Sequence, residues 1–441
     1  MVAKLGIAVG GLGAVSSTLM AGLALARRRG LPLIGSALLD LHASRLGGGP
    51  PSVSMLPKIE WLAWDIRRRT AADALREERV LEPSDLRLVR GEMDRVSALP
   101  GFASPRFTGD LRREQLIHEG RYGGVVDQLR EDLRDFRKRS GSTDNVFLWL
   151  GSCELAGPAP GLGMKLDRLL ATPVTDDCVP PSVLYAIAAL LEGFAVCDCT
   201  PSTLFDARAV RALILASGIP AAGKDLRTGQ TYLKTVLAPG LRMRSLGLHG
   251  WYSHNILGNS DGRVLADPRA REGKIESKGS VLESILDRDE KPWLYGKHDH
   301  RVTIEYYPLR GDSKEAWEVV DFFGWCGYPM QLRMQMNCRD SILAAPLVLD
   351  CALGLALARR AGRKGMQDWL SFYFKSRLAG EAPRLGAFEE FEQLLRTAST
   401  LLSRQGRGLM TGEPRGGASR TRVRRRAGPA SLGDRHPRRR A

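Results

Sequence analysis

The chain has 441 residues, of which 43% are hydrophobic, 26% charged and 7% aromatic. That supply of apolar side chains suits a sizeable core in two or three domains. It excludes a wholly disordered chain, a collagen-like repeat and a small disulfide-stapled fold. The formal charge of +16 invites a nucleic-acid or anionic-membrane reading. Residues 404–441, however, carry 12 arginines against Glu413 and Asp434, which is +10 of that total and leaves +6 for the first 403 residues.

The run Leu5–Ala26 is uncharged, mostly apolar and flanked by Lys4 and Arg27-Arg28-Arg29. Its length alone would suit a membrane anchor. Five glycines and Ser16-Ser17-Thr18 inside it favour another parse: a buried strand Leu5–Val9, a tight turn Gly10–Gly13 and a helix Ser16–Arg29. The basic residues then suit the helix C-terminal dipole. No other segment reads as a span, so the expectation is a cytoplasmic protein with no membrane contact. Seven scattered cysteines without a CxxC pair fit reduced thiols, and no metal-ligand set is visible.

Further along, Leu33–Leu41 reads as a second strand, Gly47–Pro51 as a loop, and Ile59–Trp64 as an apolar run ending at Asp65. Charged helical patterns at 69–80 and 110–139 precede a strand Asn145–Leu150, which runs into a turn at Gly151-Ser152. Ser182–Glu192 reads as a helix and Ala195–Cys199 as a strand. Such alternation predicts a parallel sheet with crossover helices. Near 231–240 the texture changes: a helix Thr231–Leu237, then strands Leu246–Tyr252 and Arg301–Tyr307 with period-two patterning. Ser341–Arg360 returns to an apolar helix, broken by Pro346 and Gly354. Beyond Ser403 composition predicts a disordered, Arg-rich tail, the one part for which nucleic-acid contact stays open.

Several polar clusters could carry chemistry. Gly11-Leu12-Gly13-Ala14-Val15-Ser16 has the G-x-G-x-x-G form with Ser in the third place, between a predicted strand and helix. That context suits a dinucleotide pyrophosphate on a helix N-terminus, with Asp40 or Asp65 as ribose ligand. Thr228-Gly229-Gln230-Thr231 offers N–H groups and hydroxyls to a phosphate, or simply an N-cap at Thr228. Asn255–Gly262 is a dense polar turn, and Lys274 and Lys278 share a face if their stretch is helical. Gly311-Asp312-Ser313-Lys314 reads as a helix start, where a lone cation calls for an anionic partner.

In order, the segments 11–18, 64–66 (Trp-Asp-Ile), 223–231, 255–262, 274–278, 311–314 and 337–344 resemble the myo-inositol-1-phosphate synthase family from about residue 4 to 400. Tyr185-Ala186 and Phe372–Lys375 also look like family segments. The resemblance implies an α/β, Rossmann-type NAD-binding domain over 1–230, completed by 342–403, with an inserted α+β catalytic and oligomerisation domain over 231–341. It implies conversion of D-glucose 6-phosphate to 1D-myo-inositol 3-phosphate with bound NAD, in a homotetramer. Gly11, Gly13, Ala14, Val15, Ser16, Ser17, Asp65, Ser152, Asn259 and Asp261 would bind the dinucleotide. Lys274 would move the proton near C5, while Lys278, Lys314 and Lys375, with Thr228–Thr231, would hold phosphate and stabilise oxyanions. Asp225 and Asp340 would orient those lysines, and Asp261 would sit close to the nicotinamide. Family members use ammonium, potassium or a divalent cation. Lys224, Ser260 and Cys153 depart from the family pattern. The alternatives are a paralogue making another cyclitol phosphate and a non-catalytic dinucleotide-binding scaffold.

Overall fold

A computed structural model describes residues 4–109, 111–155, 157–265, 282, 285–376 and 386–405. The expectations for Lys274, Lys278 and the tail beyond Gln405 fall outside these residues. A six-stranded, fully parallel sheet is built from β1 (Lys4–Gly10), β2 (Lys58–Asp65), β3 (Leu99–Pro100), β4 (Asp144–Trp149), β5 (Ala195–Asp198) and β6 (Ala221–Ala222). Its order is β3-β2-β1-β4-β5-β6, the doubly wound arrangement that leaves a crevice where β1 and β4 diverge. Both faces are covered by helices, so β4 is buried throughout and reads as one apolar run.

The crossover after β1 is the helix Ala14–Arg29, closed by Gly30 at φ 64 and by Arg27, Arg28 and Arg29 in the last turn. Arg27 and Arg28 pair with Glu92, and Arg29 with Asp85. On the other face, Tyr122, Val125, Val126, Leu129, Leu133 and Phe136 recur at i, i+3, i+4 along the helix Tyr122–Ser140 and are all buried. Residues 111–121 of the expected helix are not part of it. Leu33–Leu41 is not a strand either: Ser36 caps a helix Ala37–Arg45, accepting the Leu39 N–H. Its apolar Leu38 and Leu39 follow helical, not alternating, burial. Asp40 is exposed on that helix, which leaves Asp65 as the acid beside the glycine turn.

A second sheet, ordered β10-β9-β7-β8, comprises β7 (Gly247–Leu257), β8 (Asp299–Tyr306), β9 (Ser313–Phe323) and β10 (Pro329–Arg339). β7 and β8 are parallel, while β9 runs antiparallel to β7 and β10. The helix Asp340–Arg360 then returns the chain to the first sheet. It is continuous through Pro346 and Gly354, contrary to the expected break. It is also long and apolar enough to cross a membrane, which the sequence reading overlooked, but most of it is buried within the protein.

The last described helix, Ala387–Gln405, is tied to the interior by a buried charge pair. Arg227 Nη1 lies 2.7 Å from Glu390 Oε2, with side chains 2% and 0% exposed. The same guanidinium donates from Nε and Nη2 to the Phe374 carbonyl at 3.1 and 2.7 Å. Glu390→Ala leaves that cation buried without its counter-charge, and the expected cost is about 3–5 kcal/mol. Urea unfolding checks this, and a loss below 1 kcal/mol contradicts it.

Candidate active site

β1 runs into the turn Gly11-Leu12-Gly13 at the crevice. Gly11 has φ +104, and a Cβ there would sit 2.8 Å from the Gly151 N and Cα and from the Leu150 carbonyl oxygen. Only glycine allows the turns after β1 and β4 to approach so closely. The helix Ala14–Arg29 begins at Gly13 with no side-chain cap and no acid in its first turn. Its uncompensated N–H groups and positive end, with Gly13, Ala14 and Val15 in the cavity wall, suit an anionic pyrophosphate. Ser16 and Ser17 are different. Their hydroxyls donate back to the Gly11 and Gly13 carbonyls at 3.0 and 2.7 Å, bracing the turn instead of facing the cavity. Asp65 closes this end, its Oδ2 accepting the Leu12 N–H at 3.0 Å.

At the opposite end, β6 leads into Asp225, which sits at φ 63. Asp225 Oδ1 accepts from Lys375 Nζ at 2.8 Å, with both side chains buried, and the Lys375 N–H bonds the Asp225 carbonyl at 2.7 Å. Asp340 Oδ1 lies 3.5 Å from Lys314 Nζ and accepts the Thr228 hydroxyl at 3.0 Å. Thr228 therefore does not cap the next helix, Gln230–Met243, whose N-cap is Gly229. Lys314 lies on β9, not in the first turn of a helix, so the dipole argument for it fails. The segment from Ser313 is a strand paired on both sides, with β7 and β10, and the half-buried carboxylate of Asp340 is what faces the ammonium. Beside them, Asp312 accepts from Ser341 Oγ at 2.7 Å and Asn259 Nδ2 at 3.4 Å, and burial pushes its carboxyl up to about 6. Asn255 is a buried β7 residue bonded to the Thr303 carbonyl, not part of a turn.

Both ends line one cavity of about 270 Å³. Gly11, Gly13, Ala14, Val15, Asp65, Ser152 and Asn259 meet Asp225, Thr228, Gly229, Gln230, Thr231, Lys314, Asp340 and Lys375 in its wall. Asp261 belongs to the helix Ser260–Val264, and its side chain is outside those described.

Two further acids belong to this region: Glu154 stands in the cavity wall, and Asp198 is buried next to Cys199, which also lines it. Glu154 accepts the Ser182 N–H and hydroxyl at 2.9 and 2.8 Å, and burial raises its carboxyl from 4.5 to about 7. Asp198 is raised by burial to about 7 as well. A carboxyl with a raised folded pKa stays protonated after the unfolded chain has ionised, so its contribution to stability is full below the unfolded value and falls as pH rises. Stability is expected to decline between about pH 4.5 and 7 on this account, and Glu154→Gln should flatten the decline. Urea midpoints across that range measure it; an unchanged slope contradicts it.

An NAD-binding family model described as myo-inositol-1-phosphate synthase matches residues 53–395. The chain belongs to that family. Inositol-3-phosphate synthase 1 of Bacteroides thetaiotaomicron is 37% identical over 85% of this chain and 89% of its own length. Inositol-3-phosphate synthase 1-A of Xenopus laevis is 30% identical, covering 81% of this chain and 68% of its own. Among solved structures, inositol-3-phosphate synthase of Caenorhabditis elegans superposes with a TM-score of 0.79 at 22% identity, covering 91% of this chain and 86% of that one, which supports the fold.

Cys153 is buried in the cavity wall, whereas Lys224 turns away from it, donating to the Ser202 carbonyl and Asp206 at 3.0 and 3.1 Å. Sequence reasoning missed Arg67 and Arg69, which stand in the wall beside Asp65. The signal was present, since Arg67-Arg68-Arg69 begins two positions after Asp65, the acid that ends β2.

Proposed function

We propose that this chain converts D-glucose 6-phosphate to 1D-myo-inositol 3-phosphate, using NAD with no net redox change. The observation that carries the reading is the single cavity holding a dinucleotide turn at one end and two lysine–carboxylate pairs at the other. Bound NAD supplies the oxidation at C5 and the final reduction. Gly11, Gly13, Ala14, Val15, Asp65, Ser152 and Asn259 would hold it, the uncapped helix end taking the pyrophosphate.

The chain's own residues do the rest. The N–H groups of Thr228–Thr231 and the Thr231 hydroxyl supply donors to the substrate phosphate at the start of the helix Gln230–Met243, the Thr228 hydroxyl being bonded to Asp340. Lys314 and Lys375, their side chains 8% and 7% exposed, place fixed positive charge where it stabilises a developing enolate or alkoxide far better than water does. Asp340 and Asp225 hold those ammonium groups in position. Lys274 and Lys278 complete the proposed set, with Lys274 moving the proton near C5 and Asp261 beside the nicotinamide. After oxidation the 5-keto sugar enolises at C6, and C6 attacks the C1 aldehyde.

The same reading divides the chain into a dinucleotide-binding unit, 1–230 with 342–403, and an inserted unit, 231–341. A homotetramer in the cytoplasm belongs to it. Supporting these are the edge strand β10, which exposes Met330 and Leu332 beside Trp325 and Tyr328, and seven free cysteines. Purified protein given glucose 6-phosphate and NAD⁺ should yield inositol phosphate by NMR, assayed with ammonium, potassium and divalent cations in turn. No cyclitol under any of them overturns the proposal. A different cyclitol phosphate would favour the paralogue reading.

A further inference from the structure

At the ribose end of the cavity, Asp65 is not the lone acid that would reject a 2′-phosphate by charge. Its Oδ2 sits 2.7 Å from Arg69 Nη2 in an ion pair whose side chains are 9% and 7% exposed, and its Oδ1 accepts the Arg67 N–H at 2.9 Å. The carboxylate charge is therefore already matched by a fixed cation. Arg67 stands beside it in the same wall, its two terminal nitrogens resting on Glu77 at 2.8 and 2.9 Å. The Nε–H groups of Arg67 and Arg69 are buried and make no hydrogen bond. Glu77, in contrast, is 41% exposed and is a solvated counter-ion that another anion can replace.

In a dinucleotide fold, the residues just past the second strand meet the adenosine ribose: an acid takes the 2′-hydroxyl, and a nearby Arg accommodates a 2′-phosphate. This chain has both. A phosphate monoester carries about −1.5 to −2 charge and matches the planar guanidinium fork bidentately. We propose that the cofactor site accepts NADP⁺ as well as NAD⁺, with Arg67 exchanging Glu77 for the 2′-phosphate while Arg69 neutralises Asp65. The inference rests on the reading of this cavity as a dinucleotide site. A redox-neutral reaction is compatible with either dinucleotide, because the cofactor is oxidised and restored within one turnover.

Direct binding tests this apart from catalysis. Full-length protein is titrated with NAD⁺, NADP⁺, 5′-ADP and 2′,5′-ADP by calorimetry near 0.15 M salt. The expected result is an NADP⁺ Kd within tenfold of the NAD⁺ Kd, with 2′,5′-ADP binding at least as tightly as 5′-ADP. Arg67→Ala should shift the NADP⁺/NAD⁺ Kd ratio at least tenfold toward NAD⁺. Glu77→Gln, a mild surface change, should shift it the other way. NADP⁺ binding more than tenfold weaker than NAD⁺, or a ratio that neither variant moves, overturns the proposal. Protein that binds both dinucleotides but makes no inositol phosphate would refute the proposed activity and leave this inference standing.

Discussion

Lys375→Ala is expected to abolish turnover while leaving NAD⁺ binding nearly intact. The ammonium is 2.8 Å from Asp225, and its side chain is only 7% exposed, so its charge is neither diluted by water nor free to wander. Removing one preorganised charge-stabilising group from such a site costs on the order of 10²–10³ in rate. The expected effect here is at the upper end, because Asp225 is left as a buried anion facing the substrate phosphate. Asp225→Asn should also fail, for a different reason: Lys375 keeps its charge but loses the partner that aims it. Single-turnover rates and NAD⁺ titrations separate the two effects. A Lys375→Ala enzyme that retains a tenth of wild-type rate would remove this lysine from the proposed machinery.

The second large effect lies at the other end of the cavity. Gly11→Ala puts a Cβ 2.8 Å from backbone atoms of Leu150 and Gly151 and forces an L-residue into φ +104. Strain of about 1–3 kcal/mol is expected. Backbone cannot yield as a flexible side chain would, so the turn must open. The rise in Tm on adding NAD⁺ should shrink or vanish, and the apparent Kd should weaken by about 10–100-fold, the same energy expressed as affinity. An unchanged NAD⁺-induced rise in Tm would mean that this turn does not carry the cofactor.

Much of the parallel sheet was legible because its strands are buried on both faces and appear as short apolar runs between helical patterns. Leu33–Leu41 misled for a local reason. A short apolar run carries no period of its own, and the decisive feature was Ser36 as an N-cap. Gly311–Lys314 misled because a glycine followed by polar residues looks like a helix start, while the long β9 pairing that fixes Lys314 lies across the sheet at Cys338. At the site, motif order brought Asp225, Thr228, Lys314, Asp340 and Lys375 into view. Which acid meets which lysine was not legible, since Lys375 meets Asp225 across 150 positions of chain. Ser16 and Ser17 fit the glycine-rich pattern by position, but a hydroxyl one turn into a helix can satisfy the preceding carbonyls, and these do.

In the proposed reaction one cavity oxidises, cyclises and re-reduces the same sugar phosphate. Glucose 6-phosphate deuterated at C5 tests it directly, with the product examined by NMR and mass spectrometry. The expected product is an inositol phosphate that keeps its deuterium at the carbon it began on, formed in large excess over enzyme with no accumulating NADH. Product that has lost the label, or NADH rising in step with sugar consumed, would contradict it.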